Sequence, residues 1–276
     1  MRAAVRFTSP FRWLSALGLA WVVTLAWAAP ARPPTSKLYV ADLEGESEIN
    51  TGERIERLDE KSVHNAHGAI LETKEESSTS VVLSNGTGVY LGPSTRLEIR
   101  RFVQEPFWPN REDLEVEPSI SQLLAFLARG TLGICTPKLV AGSTMTVETR
   151  HASVSIRGQR LLIETSAAET RVSVIEGDVT VRAGEGDSGG ATLRGGQQAW
   201  LRQQPGQPLE MVVQDIPEDQ LEQVREKVAM SCMARRTVYF DVGDGDSETV
   251  VIPVVPIRPP VDFVDEDTVS ASRIRG

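Results

Sequence analysis

Five consecutive residues, Gly186-Asp187-Ser188-Gly189-Gly190, place a serine between glycines in a pattern that nucleophilic hydrolysis uses. A serine hydroxyl is a weak nucleophile at its ordinary pKa, so it needs a histidine as base and an aspartate that orients the histidine. His67 and Asp113 precede the pentapeptide in the chain order histidine, aspartate, serine. The sequence therefore raises acyl-transfer chemistry as a hypothesis.

The sequence around these three positions argues against hydrolysis. The pentapeptide lies inside a Gly-rich polar stretch, residues 183–191, that joins two β-like runs, and such a composition is typical of a hairpin loop. The residues next to His67 and Asp113 differ from those of trypsin-like serine hydrolases, and no activating Ile-Val start is found. We therefore expect a non-enzymatic protein and keep a trypsin-like serine hydrolase as a remote alternative.

Two other groups have residue types that bind cations. His64 and His67 stand three residues apart, but their segment has the pattern of strand and turn, with no cysteine or third histidine close by. A group of carboxylates alternates with glycine but lacks EF-hand spacing: Asp241, Asp244, Asp246 and Glu248. Exposed histidines and an Asp-Gly hairpin turn explain both groups, so we predict no metal and no cofactor.

Phe107 and Trp108 are the candidate contact residues. They lie between Pro106 and Pro109 in a stretch, residues 104–119, that interrupts the β pattern. Exposed loop aromatics often stack on a sugar ring or a partner protein. The alternative is that both side chains cover the open end of the β core.

The N-terminal residues predict export. Residues 1–28 combine Arg2, Arg6 and Arg12 with an apolar core and the small-residue site Ala26-Trp27-Ala28, the layout of a cleaved secretory signal peptide. The apolar run is shorter than the roughly 20 residues that cross a bilayer. We expect a periplasmic or secreted protein with no membrane span after signal cleavage, and an uncleaved anchor is the alternative.

The charge of the chain excludes one class of partner. The precursor has 29 basic and 38 acidic residues and a net charge of −9. Removal of the three arginines in residues 1–28, which hold no acid, leaves 26 basic against 38 acidic residues and a charge of −12. Such a surface repels phosphate backbones, so we expect no nucleic acid partner.

Cys135 and Cys232 are the two cysteines of the chain. In an oxidising compartment the simplest expectation is one long-range disulfide that attaches the C-terminal segment to the β body. Two separate buried thiols are the alternative, because sequence spacing does not show whether the two Cα atoms come close enough.

Short apolar-alternating runs separated by Gly-centred turns recur between residues 71 and 201. Asn85-Gly86 and Glu176-Gly177-Asp178 stand between β-branched runs, where a hairpin turn needs positive φ. Strands spaced at about ten residues predict an all-β fold, a jelly-roll-like twisted β-sandwich, rather than a βαβ sheet.

Two helices are predicted within this β pattern and after it. A short helix packed on the sheet is predicted from apolar residues at helical spacing and a glycine placed to end a turn: Ile120, Leu123, Leu124, Leu127 and Gly130. Behind Pro217, Leu221, Val224 and Val228 predict an amphipathic helix with Cys232 at its end. A hairpin follows, with strands over residues 237–240 and 249–252.

These features divide the chain into five parts. They are a signal peptide (residues 1–28), a linker (29–36), a β domain (37–202), a C-terminal helix and hairpin (203–252), and a Pro-rich tail that we expect to be disordered (253–276).

Several segments of the β domain share an order and spacing with a known family. A threonine-marked strand, Leu71-Glu72-Thr73, precedes the turn Leu83-Ser84-Asn85-Gly86-Thr87 and the strand Pro93-Ser94-Thr95-Arg96-Leu97. The later segments are residues 129–132, 147–158, 174–181 and 193–199. Together, over about residues 37–201, they resemble the FecR domain of bacterial envelope proteins.

The resemblance implies a jelly-roll-like sandwich in the periplasm, in a family whose members relay signals from an outer-membrane receptor to a sigma factor. This chain has only 12 residues ahead of its apolar segment and no C-terminal segment that resembles a receptor-docking domain. We therefore expect an exported module that binds an envelope or membrane protein in sensing, signal relay or scaffolding. Binding of a polysaccharide or the cell wall is the alternative.

Overall fold

The computed structural model describes residues 36–107, 114–157, 159–184, 189–203, 206–242 and 249–253. The predicted signal peptide and nearly all of the predicted linker and tail lie outside these residues. The described residues form the all-β fold that the sequence predicts, accompanied by an α-helix near the C-terminus. No helix of the described residues is long and apolar enough to cross a membrane.

The strands are numbered here in chain order. They are β1 (Lys37–Glu44), β2 (Ser47–Asn50), β3 (Ile55–Arg57), β4 (Val63–Asn65), β5 (Ile70–Thr73), β6 (Ser78–Leu83), β7 (Gly88–Leu91), β8 (Arg96–Gln104), β9 (Ser121–Cys135), β10 (Thr144–Glu148), β11 (Ala152–Ile156), β12 (Arg160–Thr165), β13 (Glu169–Glu176), β14 (Asp178–Ala183), β15 (Ala191–Arg194), β16 (Gln197–Arg202), β17 (Glu210–Asp215), β18 (Val238–Val242) and β19 (Thr249–Pro253). The helix α1 spans Glu218–Arg235.

Two sheets enclose the core and share β9. Sheet A has the order β3-β2-β5-β8-β9-β10-β11-β14-β15, and sheet B has the order β4-β1-β6-β7-β9-β12-β13-β16-β17. The first half of β9 pairs with β8 and with β10, the latter in parallel, while the second half pairs with β7 and β12. One long strand therefore joins the two sheets.

The strand β9 changes sheets at Gly130. Gly130 has a φ of 98°, and a Cβ there would lie 2.5 Å from the Cα of Thr95, so only glycine fits. The Thr131 amide donates a 2.9 Å hydrogen bond to Thr95 Oγ1, and the Thr95 amide donates one of 2.9 Å to Thr73 Oγ1. Buried threonines thus satisfy the backbone donors that the bend leaves without strand partners.

The helix predicted from residues 120–127 is wrong, because these residues begin β9. Burial alternates along the strand: Leu123, Ala125 and Leu127 are buried in the core, while Leu124 and Phe126 are half-buried on the outer side. Apolar residues on both faces of a strand imitate helical spacing. Pairing with β8 and β10, which local spacing does not reveal, makes this segment a strand.

The main core lies between the two sheets. Inward side chains from alternate positions of both sheets form one buried cluster, which includes Leu71, Val89, Leu127, Ile163 and Val181. Each of these five is at most 5% exposed. This alternation of buried and exposed positions is the pattern from which the strands were predicted.

The C-terminal helix and hairpin are confirmed. Pro217 precedes α1, and the carboxylates Glu218 and Asp219 occupy its first turn, where the helix dipole favours negative charge. Val224 and Val228 are buried, as their spacing predicts. The strands β18 and β19 pair in antiparallel register, and their connecting turn, residues 243–248, lies outside the described residues.

Candidate interaction surfaces

The helix α1 covers the middle of the outer face of sheet B, over β6, β7, β9 and β12, and lies directly on two glycines. A Cβ on Gly88 would overlap the Ser231 carbonyl oxygen, and one on Gly133 would lie 2.9 Å from the Lys227 carbonyl oxygen. Gly88 and Gly133 belong to the neighbouring strands β7 and β9. Glycine at both positions lets the helix backbone touch the sheet backbone, as no other residue would.

Covalent and ionic contacts hold α1 in this position. The structure contains the disulfide expected between Cys135 and Cys232, with the two Cα atoms 5.1 Å apart. Lys227 Nζ lies 2.7 Å from a carboxylate oxygen of Glu164 in β12. The buried guanidinium of Arg235 donates a 3.3 Å hydrogen bond to the Gly86 carbonyl. The helix is therefore an integral layer of the fold.

Phe107 lies in the interior. Its side chain is 5% exposed and packs in a small cluster beneath α1 and β18 that includes Tyr39, Val82, Ala234 and Phe240. This position is the alternative considered above, an aromatic side chain that covers the core. Trp108, the other candidate contact, lies outside the described residues.

Of the three candidate catalytic residues, one, His67, lies within the described residues. His67 is exposed in the turn between β4 and β5, with its Nδ1 atom 3.3 Å from the backbone of Phe102. Asp113 and Ser188 lie outside the described residues. His64 accepts or donates a 2.8 Å hydrogen bond with Ser62 Oγ, and burial lowers its pKa. Each of the two histidine rings thus has a hydrogen-bond partner within the fold.

The described residues contain no candidate metal site. Within them, no three or more histidine, cysteine or acidic side chains converge in a way that could hold an ion. Three of the four carboxylates considered as calcium ligands, Asp244, Asp246 and Glu248, lie outside the described residues.

The outer face of sheet A carries a row of charges that runs across five neighbouring strands. Arg57, Glu48, Glu72, Arg96 and Arg129 each stand opposite the next in the strand register. Glu72 lies 2.8 Å from Arg96 Nη1 and 2.6 Å from Arg129 Nη2. Burial alone would raise the pKa of Glu72, but the hydrogen bonds and charges of Arg96 and Arg129 outweigh it and lower that pKa.

A second row on the same face is centred on an aromatic ring. Phe126 stands between Glu98 and, on the other side, Glu148 in the register of sheet A. The Arg100 guanidinium lies 4.3 Å from the centre of the Phe126 ring and 2.8 Å from Glu148. Arg100 and its neighbour Arg101 are exposed where a bulge interrupts β8. This combination of aromatic, arginine and carboxylate side chains is typical of protein contact surfaces.

The charge of this face is opposite in sign to that of the whole chain. The outward basic residues of the sheet A strands, called here the basic face, are Arg57, Arg96, Arg100, Arg101, Arg129, Arg182 and Arg194. The outward acidic residues of the same strands are Glu48, Glu72, Glu98, Glu148 and Asp178. Basic side chains are thus in excess on this face of a chain with net charge −9.

Part of this sandwich is similar to a known protein family. Residues 69–180 match the family model for the FecR protein. Over these residues the chain is similar to the FecR protein family. The match runs from the turn before β5 into β14, so it includes both halves of β9. The helix α1 lies beyond the matched residues.

Two crystal structures of a candidate anti-sigma factor from Parabacteroides distasonis ATCC 8503, at 2.50 and 1.65 Å resolution, are similar to this chain. Sequence identity is 17% in both, and the TM-scores are 0.41 and 0.40. The similarity covers 55% of this chain and 62% of each solved chain. No curated protein matches the chain.

The basic face was not predicted from the sequence. Arg96, Glu98 and Arg100 alternate with buried residues in β8, so the sequence carries a period-2 charge signal there. The segment with Phe126 and Arg129 was assigned to a helix, which separated it from β8. Correct assignment of β9 would have placed the two rows side by side.

Proposed function

We propose that this protein is a non-enzymatic signal-transduction module that acts by binding another protein through the basic face. The match to the FecR family supports a role in signalling, and the charges of the basic face support the binding of a partner protein. Helix α1 occupies the middle of the outer face of sheet B, whereas Arg100, Arg101 and Arg129 are exposed on the outer face of sheet A. The open face has a basic excess, so the partner it suits is an acidic protein surface.

The proposed place of action is the bacterial envelope, either periplasmic or secreted. This rests on the signal-peptide layout of residues 1–28 and on the paired cysteines, which suit an oxidising compartment. The proposed partner is an envelope or membrane protein, and the module would serve in sensing, relay or scaffolding.

The experiment is a pull-down of the tagged mature protein from crosslinked envelopes, read by mass spectrometry. The test variant is Arg100→Glu with Arg101→Glu, which reverses two exposed charges at the centre of the basic face. The matched control is Arg225→Glu with Arg236→Glu, which makes the same change in net charge at exposed positions of α1 and just beyond it. We expect the test variant to lose the protein recovered by wild type and by the control.

Equal recovery of the same protein by both variants would refute the basic face as the docking surface. Recovery should also fall as salt rises from about 0.05 to 0.5 M, because exposed charge pairs are screened. The non-enzymatic part has its own test. A serine-directed phosphonate should leave Ser188 unlabelled in the folded protein, and stoichiometric labelling would contradict the proposal.

A further inference from the structure

Sheet B ends on one side at the exposed edge strand β17. We infer that the edge strand β17 binds an extended segment of another protein by strand addition, and that this segment has an apolar centre and basic ends. This inference is independent of the basic face, because β17 belongs to the other sheet. Here the partner would bind through the backbone of a strand, whereas the basic face binds through charged side chains.

The strand β17 is the longest edge in the described sheets. Its six residues pair with β16 from Arg202↔Glu210 to Gln197↔Asp215 without a register shift. The other edge strands are shorter: β3 and β4 have three residues each, and β15 has four. Natural proteins protect edges by making them short, bulged, or rich in lysine and proline. The strand β17 is not short, bulged or rich in lysine and proline, and its charged residues stand only at its two ends.

The centre of β17 is apolar on both faces. Val212 and Val213 are 40% and 42% exposed, and consecutive strand residues point to opposite sides of the sheet. An added strand would therefore find an apolar neighbour on each face. On the outer face, Val212 stands opposite Trp200, which stands opposite Arg171. A partner side chain beside Val212 would extend this row.

The ends of β17 are acidic. Glu210 and Asp215 are exposed, and among the described residues neither forms an ion pair. In a full-length antiparallel pair of two copies of β17, Glu210 of each copy would face Asp215 of the other. Like charges directly opposite destabilise a strand pair, so this edge disfavours a second copy. Lysine or arginine at both ends of a foreign segment would instead be complementary.

The test uses the mature protein and a displayed library of random 12-residue peptides. Peptides selected by wild type should have alternating apolar residues flanked by lysine or arginine, because strand addition combines backbone pairing with alternate side-chain contacts. Val212→Lys with Val213→Lys should weaken their binding at least tenfold. Val63→Lys, at a similarly exposed valine of the short edge β4, is the control and should leave binding unchanged.

A charge-swap variant tests the ends separately and changes only exposed side chains. Glu210→Lys with Asp215→Lys should reverse the selection, so that enriched peptides carry aspartate or glutamate at their ends. Amide hydrogen exchange in β17 should slow when a selected peptide is added to wild type. Circular dichroism verifies that each variant is folded.

Three outcomes would overturn the inference. The first is selection of no peptide by the folded wild type. The second is selected peptides that bind the Val212→Lys, Val213→Lys variant as well as wild type, or that lack basic ends. The third is a concentration-dependent dimer that β17 substitutions abolish, which would make a second copy the occupant. Loss of the basic-face interaction described above would leave each of these results unchanged, so the two proposals fail separately.

Discussion

The disulfide between Cys135 and Cys232 should be a major source of stability. The cysteines are separated by 97 residues. In the chain-entropy model, a cross-link that closes a loop of roughly 100 residues stabilises the fold by about 4.7 kcal/mol, because it restricts the unfolded chain. The closed loop contains every strand from β10 to β17 and most of α1. Replacement of both cysteines by serine should therefore lower the free energy of unfolding by about 4 to 5 kcal/mol.

The same variant should keep its fold. Val224 and Val228 of α1 and the preceding Ile216 remain packed against Leu162 of β12 without the disulfide, and each buried side chain of this size contributes about 1.5–3 kcal/mol. Lys227 also keeps its contact with Glu164. We expect α1 to stay in place in the variant, with an unchanged circular dichroism spectrum and a lower urea midpoint.

The assay is equilibrium urea unfolding of the mature protein, followed by circular dichroism and by tryptophan fluorescence. The control is wild type treated with a thiol reductant, which should match the double-serine variant. A loss below about 1 kcal/mol would refute the loop-entropy reasoning. Separate transitions for the two probes would show that α1 unfolds on its own, contrary to its role as an integral layer.

Three further predictions concern single side chains. Thr87 Oγ1 is buried beside a small apolar cavity and has no hydrogen-bond partner among the described residues, so Thr87→Val should stabilise the protein by about 1 kcal/mol in urea unfolding. The control Thr79→Val loses a 3.0 Å hydrogen bond to the Asp42 carbonyl and should destabilise the protein. Gly88→Ala should push α1 away from sheet B and lower the free energy of unfolding by about 1–3 kcal/mol or more. Amide hydrogen exchange in the helix should become faster, and unchanged exchange would contradict the close contact between α1 and Gly88. Burial, aided by Arg150, lowers the pKa of His151 below 6.5. As pH falls, the unfolded chain therefore binds a proton at this histidine before the folded protein does, and the free energy of unfolding should fall as pH drops from 6.5 toward the folded pKa. In His151→Gln, the urea midpoint should lose the pH dependence that this histidine causes.

Local patterns in the sequence predicted much of the fold. Period-2 alternation located β6, β7 and β13, and helical spacing of Leu221, Val224 and Val228 located α1. Alternation failed in β9, because Leu123, Leu124 and Leu127 are apolar on both faces of the strand. Only its pairing partners β8 and β10 distinguish that strand from a helix.

The surfaces were harder to predict than the strands. The position of Phe107 depends on α1 and β18, which follow it by more than a hundred residues and cover it in the folded protein. The cysteine pairing followed from compartment and number, but the glycines that allow α1 to approach, Gly88 and Gly133, carry no local signal of that role. Contacts between distant segments therefore set what remains exposed.

The shared strand β9 has a consequence for how this protein folds and how it can be divided. Its two halves complete different sheets, so neither sheet can close before β9 has found partners from both ends of the chain. Such long-range pairing is slow, in the range of milliseconds to seconds for all-β domains. A fragment limited to residues 69–180 would lack β1, β2, β16 and β17 and would expose the strands that these normally cover. The strands before and after β9 therefore form one folding unit, and a cut on either side of β9 would leave both sheets incomplete.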